Sequence, residues 1–227
     1  MTKISFDLVG FDLDGTLVDS SADLAAATNH ALASIGLPTH DVEEVKRFVG
    51  KGTRIMLERA LRASGDYSET RLDALRPVFS DYYDRHLSVH TRPYPGAVEA
   101  LDTLRTRGVR VGLCTNKSER FTLPLLEELG LHDRFDAIVC GDTLGPGVLK
   151  PDPAPVAAMV ARAGGGNSVF LGDTSHDIDA ARGAGIASIA VRFGFGDAAD
   201  ELGADAILDH YGDLLPLLEK WPVRSTE

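Results

Sequence analysis

Two carboxylates stand two residues apart in Phe11-Asp12-Leu13-Asp14-Gly15-Thr16, directly after an apolar run. Positions i and i+2 of a strand share a face, so Asp12 and Asp14 leave the strand end in one direction. Carboxylates held so close repel each other and demand a cation or a shared proton. A calcium loop of the helix–loop–helix type does not fit. Counting from Asp12 puts Leu17 where that loop needs glycine and Asp23 where it needs glutamate. A second acidic cluster, Gly172-Asp173-Thr174-Ser175-His176-Asp177, follows another apolar run. Asp, Thr and Ser are good helix caps, and one of these residues is expected to cap; Asp173 and Asp177 together exceed that need. Hard cations such as Mg²⁺ take oxygen ligands and leave coordination places for water and a substrate phosphate. Thr115 and Asn116 end a third run and offer a hydroxyl and an amide to an oxyanion. Lys150 stands before Pro151 and Pro153, after a bend at Gly145-Pro146-Gly147. His176 has no second His or Cys at ligand spacing and reads as a surface residue.

These run ends need a scaffold that brings them together. Short apolar runs recur at 4–11, 109–114, 137–140, 168–171, 187–191 and 206–208, bounded by Gly, Asp or Pro, as buried strands are. Between them lie helical spacings. Ala97, Val98, Leu101 and Leu104 precede Gly108, and Phe121, Leu125 and Leu129 precede Gly130. Pro124 predicts that the latter helix starts late or is kinked. Strands alternating with helices predict an α/β fold, a doubly wound, Rossmann-like parallel sheet covered on both faces. Ligands of such sheets bind at the C-terminal strand ends. From 20 to 86 the pattern is helical throughout, over 22–34, 42–49, 54–63 and 69–87. The expected organisation is a catalytic core over 1–18 and 88–227 with an all-helical cap domain inserted over 19–87. Thr91-Arg92-Pro93-Tyr94-Pro95-Gly96 reads as a stiff return connection.

Composition narrows the partners. The chain has 227 residues, 44% hydrophobic and 25% charged, which is ordinary globular usage and excludes a disordered tail, a coiled coil or a collagen-like chain. No apolar run approaches the roughly 20 residues needed to cross a bilayer, and the first residues lack the build of a signal peptide. Cys114 and Cys140 do not suggest a disulfide framework, so a cytoplasmic location is expected. Asp and Glu outnumber Lys and Arg by 34 to 23, a net charge of −11, which argues against nucleic acid and anionic membranes as partners. An anionic substrate must then be drawn in by a few local cations or a metal.

In this order and at these strand ends the motifs resemble those of the haloacid dehalogenase superfamily of phosphotransferases, over nearly the whole chain. Phe11-Asp12-Leu13-Asp14-Gly15-Thr16-Leu17 is similar to the superfamily's first motif, Thr115-Asn116 to its second, Lys150-Pro151 to its third, and Gly172-Asp173 through Asp177 to its fourth. Within the superfamily the chain resembles the bacterial phosphoglycolate phosphatases. The resemblance rests on Asp19-Ser20, Val49-Gly50-Lys51-Gly52, the 91–96 stretch, Lys150-Pro151-Asp152-Pro153 and Arg192-Phe193-Gly194-Phe195-Gly196. The Gly145-Pro146-Gly147 bend is less usual there.

The resemblance implies hydrolysis of a small phosphate monoester, 2-phosphoglycolate, through an aspartyl-phosphate. Asp12 is then the nucleophile and Asp14 the general acid and base. Mg²⁺ would be held by the Asp12 and Asp173 carboxylates and the Asp14 carbonyl, with Asp177 behind them orienting Asp173 or a water. Thr115, Asn116 and Lys150 are expected to donate to the phosphoryl oxygens, joined by backbone N–H groups near Gly15 and Thr16. A two-carbon carboxylate also needs a cation or helix N-terminus opposite the phosphate, and the glycine-rich cap loop offers Lys51 with Arg54 close behind. The enzyme is expected to work as a monomer or homodimer. Alternatives are a phosphatase or mutase for a sugar phosphate or pyrophosphate, and a phospho-accepting receiver module. A receiver is shorter and carries an acidic pair, not its phosphorylated Asp, after its first strand. Asp14 argues against a dehalogenase, whereas Lys46 and Lys51 leave a Schiff-base phosphonatase open.

Overall fold

Period-two packing builds the sheet. In the computed structural model, which describes residues 4–221, the first strand, β1 (Leu8–Phe11), is buried throughout. Leu8 packs with Cys114, Val139, Met159 and Phe170 on one face. Val9 and Phe11 pack with Val111, Leu113, Val169 and Leu171 on the other. Burial on both faces is the signature of parallel strands covered by helices. The outer ends of the expected core, 1–3 and 222–227, lie outside the described residues, as do the first residues weighed for a signal peptide.

After β1 come β2 (Val18–Asp19), α1 (Ser21–Ser34), α2 (Val42–Lys46), α3 (Gly52–Ala63), α4 (Glu69–Tyr83) and β3 (Arg92–Pro93). The chain then alternates through α5 (Ala97–Thr106), β4 (Arg110–Cys114), α6 (Glu119–Glu128), β5 (Ala137–Val139) and α7 (Ala154–Arg162). It ends with β6 (Ser168–Gly172), α8 (Ser175–Gly183), β7 (Ala187–Val191), β8 (Ala206–Leu208) and α9 (Leu214–Glu219). Six strands form one parallel sheet in the order β5-β4-β1-β6-β7-β8. The chain winds outward from β1 through β4 to β5, then crosses back to β6 and winds the other way. Phe11 pairs with Leu113 on one side and Leu171 on the other. The ends of β1, β4 and β6 therefore lie side by side at the topological switch point, where such sheets bind ligands. Gly10 and Gly112 leave room for Met159 of α7; a Cβ on either would come within 2.6 Å of it.

The four helices between β2 and β3 contain no strand. β2 and β3 pair antiparallel, Val18 with Pro93 and Asp19 with Arg92, so the chain leaves and re-enters the core through one short ribbon. Asp23, at the start of α1, is buried and accepts hydrogen bonds from the N–H of His90 (2.9 Å) and from the N–H and hydroxyl of Thr91 (both 2.8 Å). The start of the helical segment is thereby tied to its return. Leu24, Met56, Leu57, Leu72 and Phe79 belong to the same buried cluster as Phe11 and Leu113, so the helices and the sheet share one apolar interior.

Several helix limits differ from the expected ones; α2 stops at Lys46 rather than 49 and α3 starts at Gly52 rather than 54. α4 stops at Tyr83 rather than running to 87, because the next amides turn back to form tighter bonds, as from His86 N–H to the Tyr83 carbonyl. α6 starts at Glu119, well before Pro124. Ser118 has an extended backbone that opens the helix, and burial of Phe121, Thr122, Leu125 and Leu126 offsets the one hydrogen bond the proline removes. No helix among the described residues is long and apolar enough to cross a membrane.

Candidate active site

Asp12 is the first residue beyond β1, and its N–H donates to the Leu171 carbonyl at 2.9 Å. The Lys150 ammonium donates to Asp12 Oδ1 (2.8 Å), to Asp177 Oδ1 (2.6 Å) and to the Cys114 carbonyl (2.7 Å), which uses all three of its N–H groups. Burial alone would lower the Lys150 pKa, but the fields of Asp12 and Asp177 outweigh it and hold the group above the ordinary lysine range. Burial also pushes the Asp12 carboxyl up to about 7; Lys150 opposes this and Asp177 adds to it.

Asp173, beyond β6, is buried. Its Oδ1 accepts from the Thr16 hydroxyl (3.2 Å), and its Oδ2 accepts from the N–H groups of Phe195 (3.2 Å) and Gly196 (2.9 Å). Burial raises its pKa well above the carboxylate range, with Asp177 and Asp12 contributing. The backbone comes this close only because Gly15, at φ 86°, and Gly194 lack side chains; a Cβ there would lie 2.2 Å from Asp173 Oδ2 and 2.3 Å from Asp173 Cβ. The 192–196 stretch thus cradles an acid.

Asp177, in the first turn of α8, closes the capping box with the N-cap Thr174, its Oδ2 accepting from the Thr174 N–H (3.0 Å) and hydroxyl (2.6 Å). It also forms the third corner of a cluster. Ligand oxygens of Asp12, Asp173 and Asp177 all lie within 4.8 Å of one another, and all three residues are buried. Hard oxygen donors suit a divalent cation such as Mg²⁺. So does the charge, because with all four carboxylates ionised (Asp14 included) the two ammonium groups Lys150 and Lys117 would leave two negative charges unmatched, the crowding that raises the Asp12 and Asp173 pKa values.

Asp14 has a different set of partners. Its Oδ1 accepts from the Ser20 hydroxyl (2.5 Å), and both its oxygens accept from the Lys117 ammonium (3.0 Å each). Lys117 also donates to the Tyr83 hydroxyl, 2.7 Å away at the end of α4. Burial lowers the Lys117 pKa, yet Asp14 and Tyr83 together raise it beyond the usual range. Burial pushes Tyr83 up to about 12. Sequence reasoning assigned Lys117 no role; its position directly after the Thr115-Asn116 pair was the only signal.

Thr115 is buried beside Asp12 and lines the same pocket. The Asn116 amide is committed elsewhere, donating to the carbonyls of Gly50 and Lys150 (3.0 Å each) while its Oδ1 accepts from the Lys150 N–H (2.9 Å). The amides of Gly15 and Thr16 are likewise spent inside their turn, on the carbonyls of Val18 (2.9 Å) and Leu13 (3.3 Å). Without substrate, these three N–H sources are hydrogen-bonded within the protein.

The pocket above the carboxylates is small, about 40 Å³, with Asp12, Asp14, Thr115, Lys117 and Lys150 on the core side and Leu24, Val49, Met56 and Tyr83 opposite. Lys51 and Arg54 do not line it. Arg54 pairs with Glu69 (2.5 Å) and Glu58 (3.7 Å), because the pocket face of α3 carries Gly52, Thr53 and Met56 and Arg54 points off it. Lys51 and Lys46 line a separate cleft of about 350 Å³ beyond the Val49–Gly50 turn, together with Arg47, Arg59 and His176. His176 is half-buried there rather than on the surface, its Nδ1 without a partner, and burial with the nearby Lys51 lowers its pKa.

A family model of haloacid dehalogenase-like hydrolases matches residues 9–191. A phosphoglycolate phosphatase of Agrobacterium fabrum is 41% identical over 213 residues, 92% of this chain and 90% of its own length. An N-acetylmuramic acid 6-phosphate phosphatase of Pseudomonas aeruginosa is 36% identical over 97% of this chain and 98% of its own. A solved structure described as a predicted phosphoglycolate phosphatase of Haemophilus somnus 129pt superposes with a TM-score of 0.87 at 31% identity, covering 94% of this chain and 98% of that one.

Proposed function

This chain belongs to the haloacid dehalogenase-like hydrolase family, and from that premise we propose that it hydrolyses 2-phosphoglycolate to glycolate and phosphate through a phosphoryl group carried on Asp12. Residues 19–87 act as the cap and close over the strand ends. Mg²⁺ fits the oxygen set of Asp12 and Asp173 with the Asp14 carbonyl, and Asp177 stands near enough to join them; when bound it neutralises charge on the phosphoryl oxygens.

Asp12 attacks phosphorus and the ester P–O bond breaks, transferring the phosphoryl group to the carboxylate. Lys150, already hydrogen-bonded to Asp12, holds that carboxylate in place and balances the charge brought in by the phosphate. The Thr115 hydroxyl donates to a phosphoryl oxygen. Asp14 gives a proton to the leaving alkoxide, then takes one from the water that attacks the phosphoryl-aspartate. The ion pair with Lys117 has to loosen for Asp14 to do so. Asn116 serves by holding the Lys150 backbone, and Lys51 and Arg54 stand outside the pocket lining.

One observation carries this reading. A single buried ammonium joins Asp12 to Asp177 beside Asp173, at the floor of the pocket that Thr115 and Lys117 also line. The test is a panel of 2-phosphoglycolate, N-acetylmuramic acid 6-phosphate, a hexose phosphate, pyrophosphate and p-nitrophenyl phosphate, with Mg²⁺ and after chelation. Phosphoglycolate is expected to give the highest kcat/KM, chelation to abolish turnover, and Asp12→Asn to be inactive. A higher kcat/KM on any other ester overturns the substrate, and parental turnover by Asp12→Asn overturns the mechanism.

A further inference from the structure

Two ammonium groups line the pocket, and they differ in what they are committed to. Lys150 spends its three N–H groups on Asp12, Asp177 and the Cys114 carbonyl, all in the core. Lys117 chelates Asp14 from one side and reaches Tyr83, on the last turn of the α4 cap helix, from the other. It also lies 4.8 Å from the centroid of the Tyr83 ring. The wall around it is apolar, made by Leu24, Met56 and Phe121. Burying an ammonium in such a wall is costly unless paired, and the reaction as described gives Lys117 nothing to do.

Resting on the phosphoglycolate reading, we propose that Lys117, together with the Tyr83 hydroxyl, binds the carboxylate at the far end of the substrate and so sets specificity. Spacing supports this. Asp14 protonates the ester oxygen, and in 2-phosphoglycolate a single methylene separates that oxygen from the carboxylate. A substrate in hydrogen-bond reach of Asp14 therefore presents its carboxylate to the neighbour of Asp14, and that neighbour is Lys117 at 3.0 Å. The pocket offers no third cation. Binding the carboxylate exchanges one oxygen partner of the ammonium for another, so the lysine stays paired throughout. An ester of the same length with no second anion gains nothing from this contact.

Ethyl phosphate is phosphoglycolate with its carboxylate replaced by a methyl group, so the ratio of kcat/KM for the two esters isolates the contact. It is to be measured for the parent enzyme, Lys117→Met, Lys117→Arg and Tyr83→Phe. Losing one charged hydrogen-bonded partner should lower that ratio by ~30-fold in Lys117→Met, whatever the absolute loss caused by freeing Asp14. Lys117→Arg should retain most of the preference, and Tyr83→Phe, one oxygen smaller, should lower it by roughly threefold to tenfold. A ratio in Lys117→Met within threefold of the parent overturns the assignment. Should that variant not fold, an unchanged ratio in Tyr83→Phe overturns it instead. A parent enzyme with no preference for phosphoglycolate refutes the substrate reading itself, an outcome visible before any variant is made.

Discussion

Replacing Asn116 by alanine removes three hydrogen bonds at once, two of them to the backbone of Lys150. The Asn116 amide donates to the Lys150 carbonyl at 3.0 Å and its oxygen accepts from the Lys150 N–H at 2.9 Å. The third bond, to the Gly50 carbonyl at 3.0 Å, joins this clamp to the cap. A neutral hydrogen bond of this kind contributes about 1 kcal/mol net, so the two on Lys150 amount to about 2 kcal/mol. If that is expressed wholly as a misplaced ammonium, kcat/KM falls ~30-fold. Steady-state assays of Asn116→Ala, Lys150→Ala and the double variant separate the routes. If Asn116 works through Lys150, the alanine costs ~30-fold in the parent but no more than about threefold once Lys150 is gone, because the residue it positions is absent. A full, additive loss on the Lys150→Ala background would show that Asn116 acts on the substrate directly, and the reasoning would fail.

Two further outcomes concern stability and reactivity. Asp23→Ala leaves the amides of His90 and Thr91 without their buried acceptor, and should cost about 3 kcal/mol, a fall in Tm of ~6–12 °C by thermal denaturation. A fall under about 2 °C would mean the link between α1 and the return strand is dispensable. Burial pushes the Cys114 thiol up to about 12 and Cys140 up to about 11. Only ionised thiol is nucleophilic, so at pH 8 less than ~0.1% of either is reactive, and alkylation should quicken only as the pH rises toward those values. Both cysteines should resist iodoacetamide in the native protein and react once it is denatured. Stoichiometric labelling of native protein within minutes would contradict this burial.

The core was legible in sequence because strands buried on both faces must be short apolar runs, and the acids had to sit where those runs stop. Asp12, Thr115 and Asp173 directly follow β1, β4 and β6, whereas Lys150 sits in the long loop after β5 and only its flanking prolines marked it. Residues whose partners lie far along the chain were not legible. Lys117 meets Asp14 across 103 positions, and neither residue's neighbours announce it. Asn116 looked like an oxyanion donor, since nothing local shows that the Gly50 and Lys150 backbones use up its amide. Which cap residues face the pocket was not legible, for a geometric reason. Lys51 and Arg54 carry the obvious charge, but α3 turns Gly52, Thr53 and Met56 toward the pocket, leaving Arg54 to Glu58 and Glu69. The two-residue strands β2 and β3 are too short for any periodicity, and only the prolines of the return stretch marked their place.

A chain of net charge −11 that binds a multiply charged anion has to solve its electrostatics locally. Surface acids lose their influence beyond about 10 Å in ordinary salt, whereas charges in a buried site interact through a lower effective dielectric. What matters is therefore the pocket itself, where four carboxylates outweigh Lys117 and Lys150 by two charges. A divalent cation held by Asp12, Asp173 and Asp177 would cancel that excess. On the proposed function the two lysines would then meet the substrate's two anionic ends, Lys150 at the phosphate and Lys117 at the carboxylate, neither having to leave its own aspartate wholly unpaired. On this reasoning the substrate is selected by the separation of the two ammonium groups across Asp14, and neutralising surface acids should leave the choice of substrate unchanged.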